Sequence, residues 1–241
     1  MHIQAIVVKA RELGADRAAP LPARAVVVDE RVNFKCRVPL CSHYGVNLMC
    51  PPNVPTPAET RGALARYSDT LVVQRAIPLT QDAVDEALAG MGYAEANAVP
   101  RGAAGTSAAA AGREGGAGAA APGGDADGRA GAAVAVAGPQ TAAYEASLTD
   151  SQNEFARLMT ALESAAFKMG YRFAAAFAGG DCVLCDVCVG KDGEACRRPF
   201  EARPSMEAVG IDVVATAEAA GLAIEMPAAD KPCWTGLLLI D

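Results

Sequence analysis

Apolar and polar positions alternate along this chain with two periods, one of about 3.6 residues and one of two, and the changes between them predict its elements. Residues 2–13 read as a helix that stops at Gly14. Residues 24–29, Arg-Ala-Val-Val-Val-Asp, read as a strand, and a cysteine-bearing loop follows from Cys36 to Pro52. Thr56-Pro57-Ala58-Glu59 combines a capping box with proline at the first helical position, so a helix is expected to run to Tyr67. Thr70–Ile77 is a buried type of strand, and a short helix over Gln81–Ala89 closes the first half. The second half opens on another capping box, Ser151-Gln152-Asn153-Glu154. Phe155, Leu158, Met159, Leu162, Ala166 and Met169 then fall on one helical face, and Gly170 is the expected stop. Tyr171–Ala178 reads as a strand broken by Gly179-Gly180, after which a second cysteine loop begins. Arg203–Glu207 looks like a capped turn into a short helix. Asp212 is placed to cap a helix ending at Gly221, and Ala223–Glu225 and Gly236–Ile240 are the last expected strands.

Between the halves the periodicity disappears. Positions 101–140 are mostly Ala and Gly, which bury little area and cost much backbone entropy, so residues 97–144 are expected to be a low-complexity, disordered insertion. The insertion separates a first half, residues 1–96, from a second half, residues 145–241. Each half reads helix, strand, cysteine loop, helix, strand. The expected fold is therefore a single α/β domain of two similar halves, each with a Cys-rich loop at a strand end.

Composition narrows the function classes. The net charge of −7 argues against a nucleic-acid partner. No run of about 18 apolar residues is present, so no membrane span is expected. Lys9, Arg11 and Glu12 interrupt the first residues, so no secretory leader is read there. Eight cysteines in such a chain suit a reducing cytoplasm, where clustered thiols bind metal or carry out redox chemistry instead of forming disulfides.

The densest chemistry lies between Asp181 and Pro199. Cys182, Cys185, Cys188 and Cys196 stand as C-x2-C-x2-C-x7-C. Ferredoxin-type loops use the same opening to bring three thiolates to one face of a [4Fe–4S] cube. Val183-Leu184 and Asp186-Val187 form the spacers, whose apolar members are expected to shield the cluster. Gly190 and Gly193 are expected to let the chain turn towards Cys196. Lys191, Arg197 and Arg198 lie near a centre that is negative with four thiolates. Zinc is the alternative, but structural zinc is typically held by two C-x2-C knuckles with a longer spacer between them.

The first loop carries Cys36, Cys41 and Cys50 as C-x4-C-x8-C, a spacing with no standard template, followed by Pro51-Pro52. Three readings stand. The trio binds a second cluster with one open iron. The trio binds a second cluster completed by Cys233 or His43. Or one of the three replaces Cys196 on the first cluster. His43 and Tyr44 are the candidates for proton transfer beside an open iron. No nucleotide-binding loop and no Ser-His-Asp arrangement is present.

Four strings, K-C-x4-C-x2-Y-G-x4-C-P-P, G-G-x-C-x2-C-x2-C, C-R-x-P and A-R-P-S-M-E-A-V-G-I-D, together resemble the domain-of-unknown-function family 2284, described as predicted metal-binding proteins. The resemblance covers residues 1–95 and 145–241. It implies a cluster-type metal site at Cys182, Cys185, Cys188 and Cys196, and a second cysteine group at Cys36, Cys41 and Cys50. The expected function is an iron–sulfur protein that passes electrons to a partner protein. The alternatives are an enzyme with an open-iron cluster acting on a small molecule, and a zinc-binding interaction module.

Overall fold

A computed structural model of the protein describes residues 3–78, 139–224 and 232–241. The predicted helix over 81–89 and the Ala/Gly segment up to residue 138 lie outside them, as does Glu225.

Helix α1 (Ile3–Glu12) turns Ile6, Val7 and Ala10 inward. It ends as predicted, with Gly14 at φ +101° and the Ala15 N–H reaching back to the Ala10 carbonyl. Strand β1 (Arg17–Pro22) follows, and helices α2 (Glu30–Phe34) and α3 (Pro57–Leu64) lead to strand β2 (Asp69–Ala76). Helix α4 (Pro139–Lys168), strand β3 (Ala175–Ala178), helix α5 (Val213–Ala219) and strand β4 (Cys233–Ile240) make the second half. The strands form one sheet in the order β1-β2-β4-β3, with every neighbouring pair antiparallel.

The chain is thus a mixed α/β domain with a fully antiparallel sheet, covered on both faces. Side chains alternate across the pleat. Leu71, Val73, Leu238 and Ile240 face α1 and α4, where Phe155, Leu158, Met159, Leu162 and Ala166 complete a core. Val72, Leu237 and Leu239 face the opposite way, onto Leu64, Met206, Val209, Ile211 and Ala217. The helical face predicted from Phe155 onward is therefore the buried one.

Four expectations are corrected. The run 24–29 is no strand: Ala23–Ala25 is a 3-10 turn, and only Val28 bridges, to Ile211. Its apolar residues are tied to the 210–212 segment, with Asp212 N–H donating to Val27 O and Asp29 N–H to Gly210 O. The strand lies upstream at Arg17–Pro22, where Pro20 and Pro22 are tolerated because β1 is a sheet edge.

Ser151 is not a helix cap. Helix α4 already starts at Pro139, inside the span assigned to the insertion, and proline favours a first helical turn. The Ser151 hydroxyl bonds back to Leu148 O at 2.9 Å and accepts the Trp234 indole N–H at 3.0 Å.

Tyr171–Phe173 lie outside the sheet. Tyr171 N–H closes the end of α4, and the N–H groups of Arg172 and Phe173 go to the Asp241 carboxylate at 3.3 and 3.1 Å. Ala223 and Ile224 also pair with no strand. The preceding Leu222 N–H closes α5, and its carbonyl accepts from the buried Gln74 amide at 2.9 Å.

The two halves share a frame. Met169, Gly170 and Tyr171 repeat the backbone bonds of Leu13, Gly14 and Ala15 one for one at the ends of their helices. The N-cap residues Thr56 and Asp212 begin α3 and α5 after equally long stretches of chain from those glycines.

Candidate metal centre

The two cysteine loops start at opposite ends of the sheet. β1 ends level with Asp69 and Ile240, whereas β3 ends level with Gly236. They meet because the first loop runs back along the 205–212 segment that follows the second. After the Val28–Ile211 bridge, the buried Asn33 amide donates to Ala208 O at 2.8 Å, and Ser205 N–H donates to Met49 O at 3.3 Å. Helix α2, capped by Asp29 accepting from Arg31 N–H, delivers Cys36 just beyond this stitched stretch.

Cys182, Cys185, Cys188 and Cys196 line one pocket together with Leu184, Val189, Ala202, Arg197 and Arg198. The remaining wall is Asn47, Leu48 and Met49, from the first loop. Backbone amides face two of the four sulfurs. Leu48 N–H points at Cys188 Sγ at 3.5 Å, and Arg198 N–H at Cys196 Sγ at 3.4 Å. Such donors stabilise charge on sulfur. Burial pushes the Cys182 thiol above its usual range, and the neighbouring sulfurs of Cys196, Cys185 and Cys188 add to it. These are soft donors held close together at a cost that a bound cation would offset. Among the described residues, no three His, Cys, Asp or Glu side chains gather as they would around a single ion. The four thiols ring a pocket instead.

The first-loop thiols are also close to one another. The Cys50 thiol, buried, is pushed up to about 12 by that burial and then by Asp181, Cys36, Cys41 and Cys182. Burial likewise raises Cys36, with Cys41 and Glu207 adding to the effect and Arg37 opposing it. Cys50 is thus the point where one cysteine group borders the other. At this border His43 Nδ1 lies 3.5 Å from Asp181 Oδ2, both side chains part-exposed. Tyr44 is half-buried in the same turn, its N–H bonded to Cys41 O. Cys233 stands apart on β4, paired with Ala76, its sulfur 3.9 Å from the Thr235 hydroxyl.

Some supporting roles differ from those expected. Leu184 lines the pocket, but Val187 is 55% exposed and shields nothing. Gly193 does turn the chain, at φ +74°. Gly190 serves another purpose: a Cβ there would lie 2.5 Å from Val46 O and 2.9 Å from Leu48 Cγ, so its bareness lets the two loops touch. Arg197 and Arg198 stand at the pocket, with Arg198 pairing Glu201 at 3.3 Å, while Lys191 is exposed away from the pocket wall.

Two features had no signal in the sequence. Asn47 is 4% exposed, and its amide donates to Cys182 O at 2.9 Å. Glu207 accepts from Gly180 N–H at 3.2 Å and from the Ser205 hydroxyl at 2.8 Å, holding the glycine pair that opens the second loop. Asn47 to Cys182 and Glu207 to Gly180 each span more than 25 residues, which no local motif reports.

The family model described as predicted metal-binding protein (DUF2284) matches residues 19–111 and 130–240, and the chain belongs to this family. No curated protein and no solved structure matches it.

Proposed function

We propose that this member of a predicted metal-binding family is an iron–sulfur protein, with Cys182, Cys185, Cys188 and Cys196 holding a [4Fe–4S] cluster used in electron transfer. The observation that carries this reading is the single pocket shared by the four thiols, with amide donors on two of the sulfurs. The C-x2-C-x2-C-x7-C spacing of these cysteines favours a cluster over zinc. Zinc at about 2.3 Å from each sulfur would draw four thiolates to within about 3.8 Å of one another, whereas a cube gives each thiolate its own iron. A bound cluster would supply one-electron transfer. The protein's share is to hold the thiolates, donate hydrogen bonds to sulfur and place Arg197 and Arg198 at the rim. Eight free cysteines suit a reducing cytoplasm, and no described helix is long and apolar enough to cross a membrane.

Cys36, Cys41 and Cys50 form a second group that suits a further metal centre. The His43–Asp181 pair beside Cys50 favours a second reading, in which this group has an open position for a small substrate and His43 moves protons there.

Anaerobic purification with iron, sulfide and zinc analysis tests both readings. About four irons and four sulfides per chain are expected for one cube, and about seven or eight irons for two. One zinc per chain without labile sulfide would overturn the cluster assignment.

A further inference from the structure

One short turn of the first loop, Val46–Cys50, lies against the second loop beside Cys182 and Cys188. Asn47 occupies its centre. Its Nδ2 donates across the loops to Cys182 O at 2.9 Å, and its Oδ1 accepts the Met49 N–H at 3.0 Å. Its own carbonyl accepts from Cys50 N–H at 3.0 Å and from Asn53 Nδ2 at 3.3 Å. With both side-chain ends and the carbonyl committed, the peptide that follows has little freedom, and its N–H, that of Leu48, lies 3.5 Å from Cys188 Sγ. Gly190 completes the fit from the other side, since only a bare Cα lets the second loop lie against Val46 O and Leu48.

We propose that Asn47 is a positioning residue for the electron-transfer centre: it bolts the first loop to Cys182 and so aims the Leu48 N–H at the Cys188 sulfur, setting the reduction potential of the cluster. The inference rests on the iron–sulfur reading above. Reduction adds negative charge to the cluster and its thiolates, so a hydrogen bond to sulfur favours the reduced state and raises the potential. The turn also carries Cys50, which places the first cysteine group next to this contact.

Two variants attack the contact from opposite sides without adding charge. Asn47→Ala removes the bolt, and Gly190→Ala forces Leu48 away from the second loop. The full-length protein, purified anaerobically, is assayed for iron and sulfide and then titrated with dithionite against mediator dyes, with electron paramagnetic resonance as the readout. Both variants should keep their second-loop iron and become harder to reduce. At a fixed applied potential the reduced-to-oxidised ratio should fall about tenfold, which for one electron is a shift of about 59 mV. An iron-loaded variant of either kind with an unchanged potential overturns the role of Asn47. Unaltered protein that binds no iron and sulfide overturns the cluster reading itself, so the two failures are distinguishable.

Discussion

The first half of the molecule runs α1, β1, cysteine loop, α3, β2, and the second runs α4, β3, cysteine loop, α5, β4. The helices before each loop end in the same glycine cap, and the helices after each loop start from side-chain caps at corresponding positions. The cysteines do not correspond. With Gly14 laid on Gly170, Cys36, Cys41 and Cys50 fall on Asp192, Arg197 and Met206, and no cysteine of one loop replaces a cysteine of the other. A repeated frame has therefore been used to bring two dissimilar loops to one place. The second loop closes on itself around a pocket with four thiols. The first threads across the domain, contributes a wall to that pocket and keeps its own thiols behind it.

Removing one thiol from each loop should separate the roles of the two loops most sharply. Cys185→Ser should abolish the second-loop cluster, with a loss of about four irons per chain. Cys41→Ser should leave that cluster and its spectrum in place, because Cys41 does not line the pocket. Equal loss from both variants, measured as iron and sulfide per chain, would mean that the loops share one cluster and that Cys196 has been assigned wrongly.

A smaller effect distinguishes how the loops are anchored. The first is held along 205–212 mainly by backbone bonds and Asn33. The chain leaving the second is held by an ion pair: Arg203 makes two bonds to Glu163 on α4, at 2.7 and 3.1 Å, with the side chains only 11% and 14% exposed. Glu163 also accepts the Ala176 N–H at 2.6 Å, so one carboxylate joins helix, strand and loop. Arg203→Met should leave that carboxylate unpaired at a cost of about 3 kcal/mol, read as a lower denaturation midpoint. Adding Glu163→Gln should recover part of the loss. A change under about 0.5 kcal/mol for the single variant would place the pair among weak surface bridges.

Whether such features can be read from sequence depends on how local they are. The glycine stops at Gly14 and Gly170, the caps at Thr56 and Asp212 and the inward face of α4 follow from neighbouring residues, and they are all present. The spacing of Cys182, Cys185 and Cys188 announces a shared pocket for the same reason. Val26–Val28 misled because an apolar β-branched run fits a strand and a buried crossing segment equally well, and its pairing with 210–212 is set by tertiary contacts. Pro20 and Pro22 hid β1, since only the strand order shows it to be an edge. Asn47 and Gly190 look like ordinary loop residues. Their roles exist only where Cys182 O and Val46 O come to lie against them.

The finest comparison lies in the two corresponding caps. Thr56 forms a full capping box: its hydroxyl accepts Glu59 N–H at 3.3 Å, and the Glu59 carboxylate accepts Thr56 N–H at 2.8 Å. These bonds hold the Glu59 carboxyl below its usual range. Asp212 has a single bond, accepting Ala215 N–H at 3.0 Å, but its backbone N–H is also tied to Val27 O. Replacing either side chain by Ala should cost about 1 kcal/mol. The consequences should differ in place. Thr56→Ala frays α3, which follows the first loop, on an exposed surface. Asp212→Ala loosens the segment along which the first loop reaches the second. Hydrogen exchange should therefore show faster exchange at Asp29 and Val27 in Asp212→Ala than in Thr56→Ala, at similar overall stability. The same exchange pattern in both variants would mean that the stitched segment is held by its core residues Met206, Val209 and Ile211, and that the cap contributes only to its own helix.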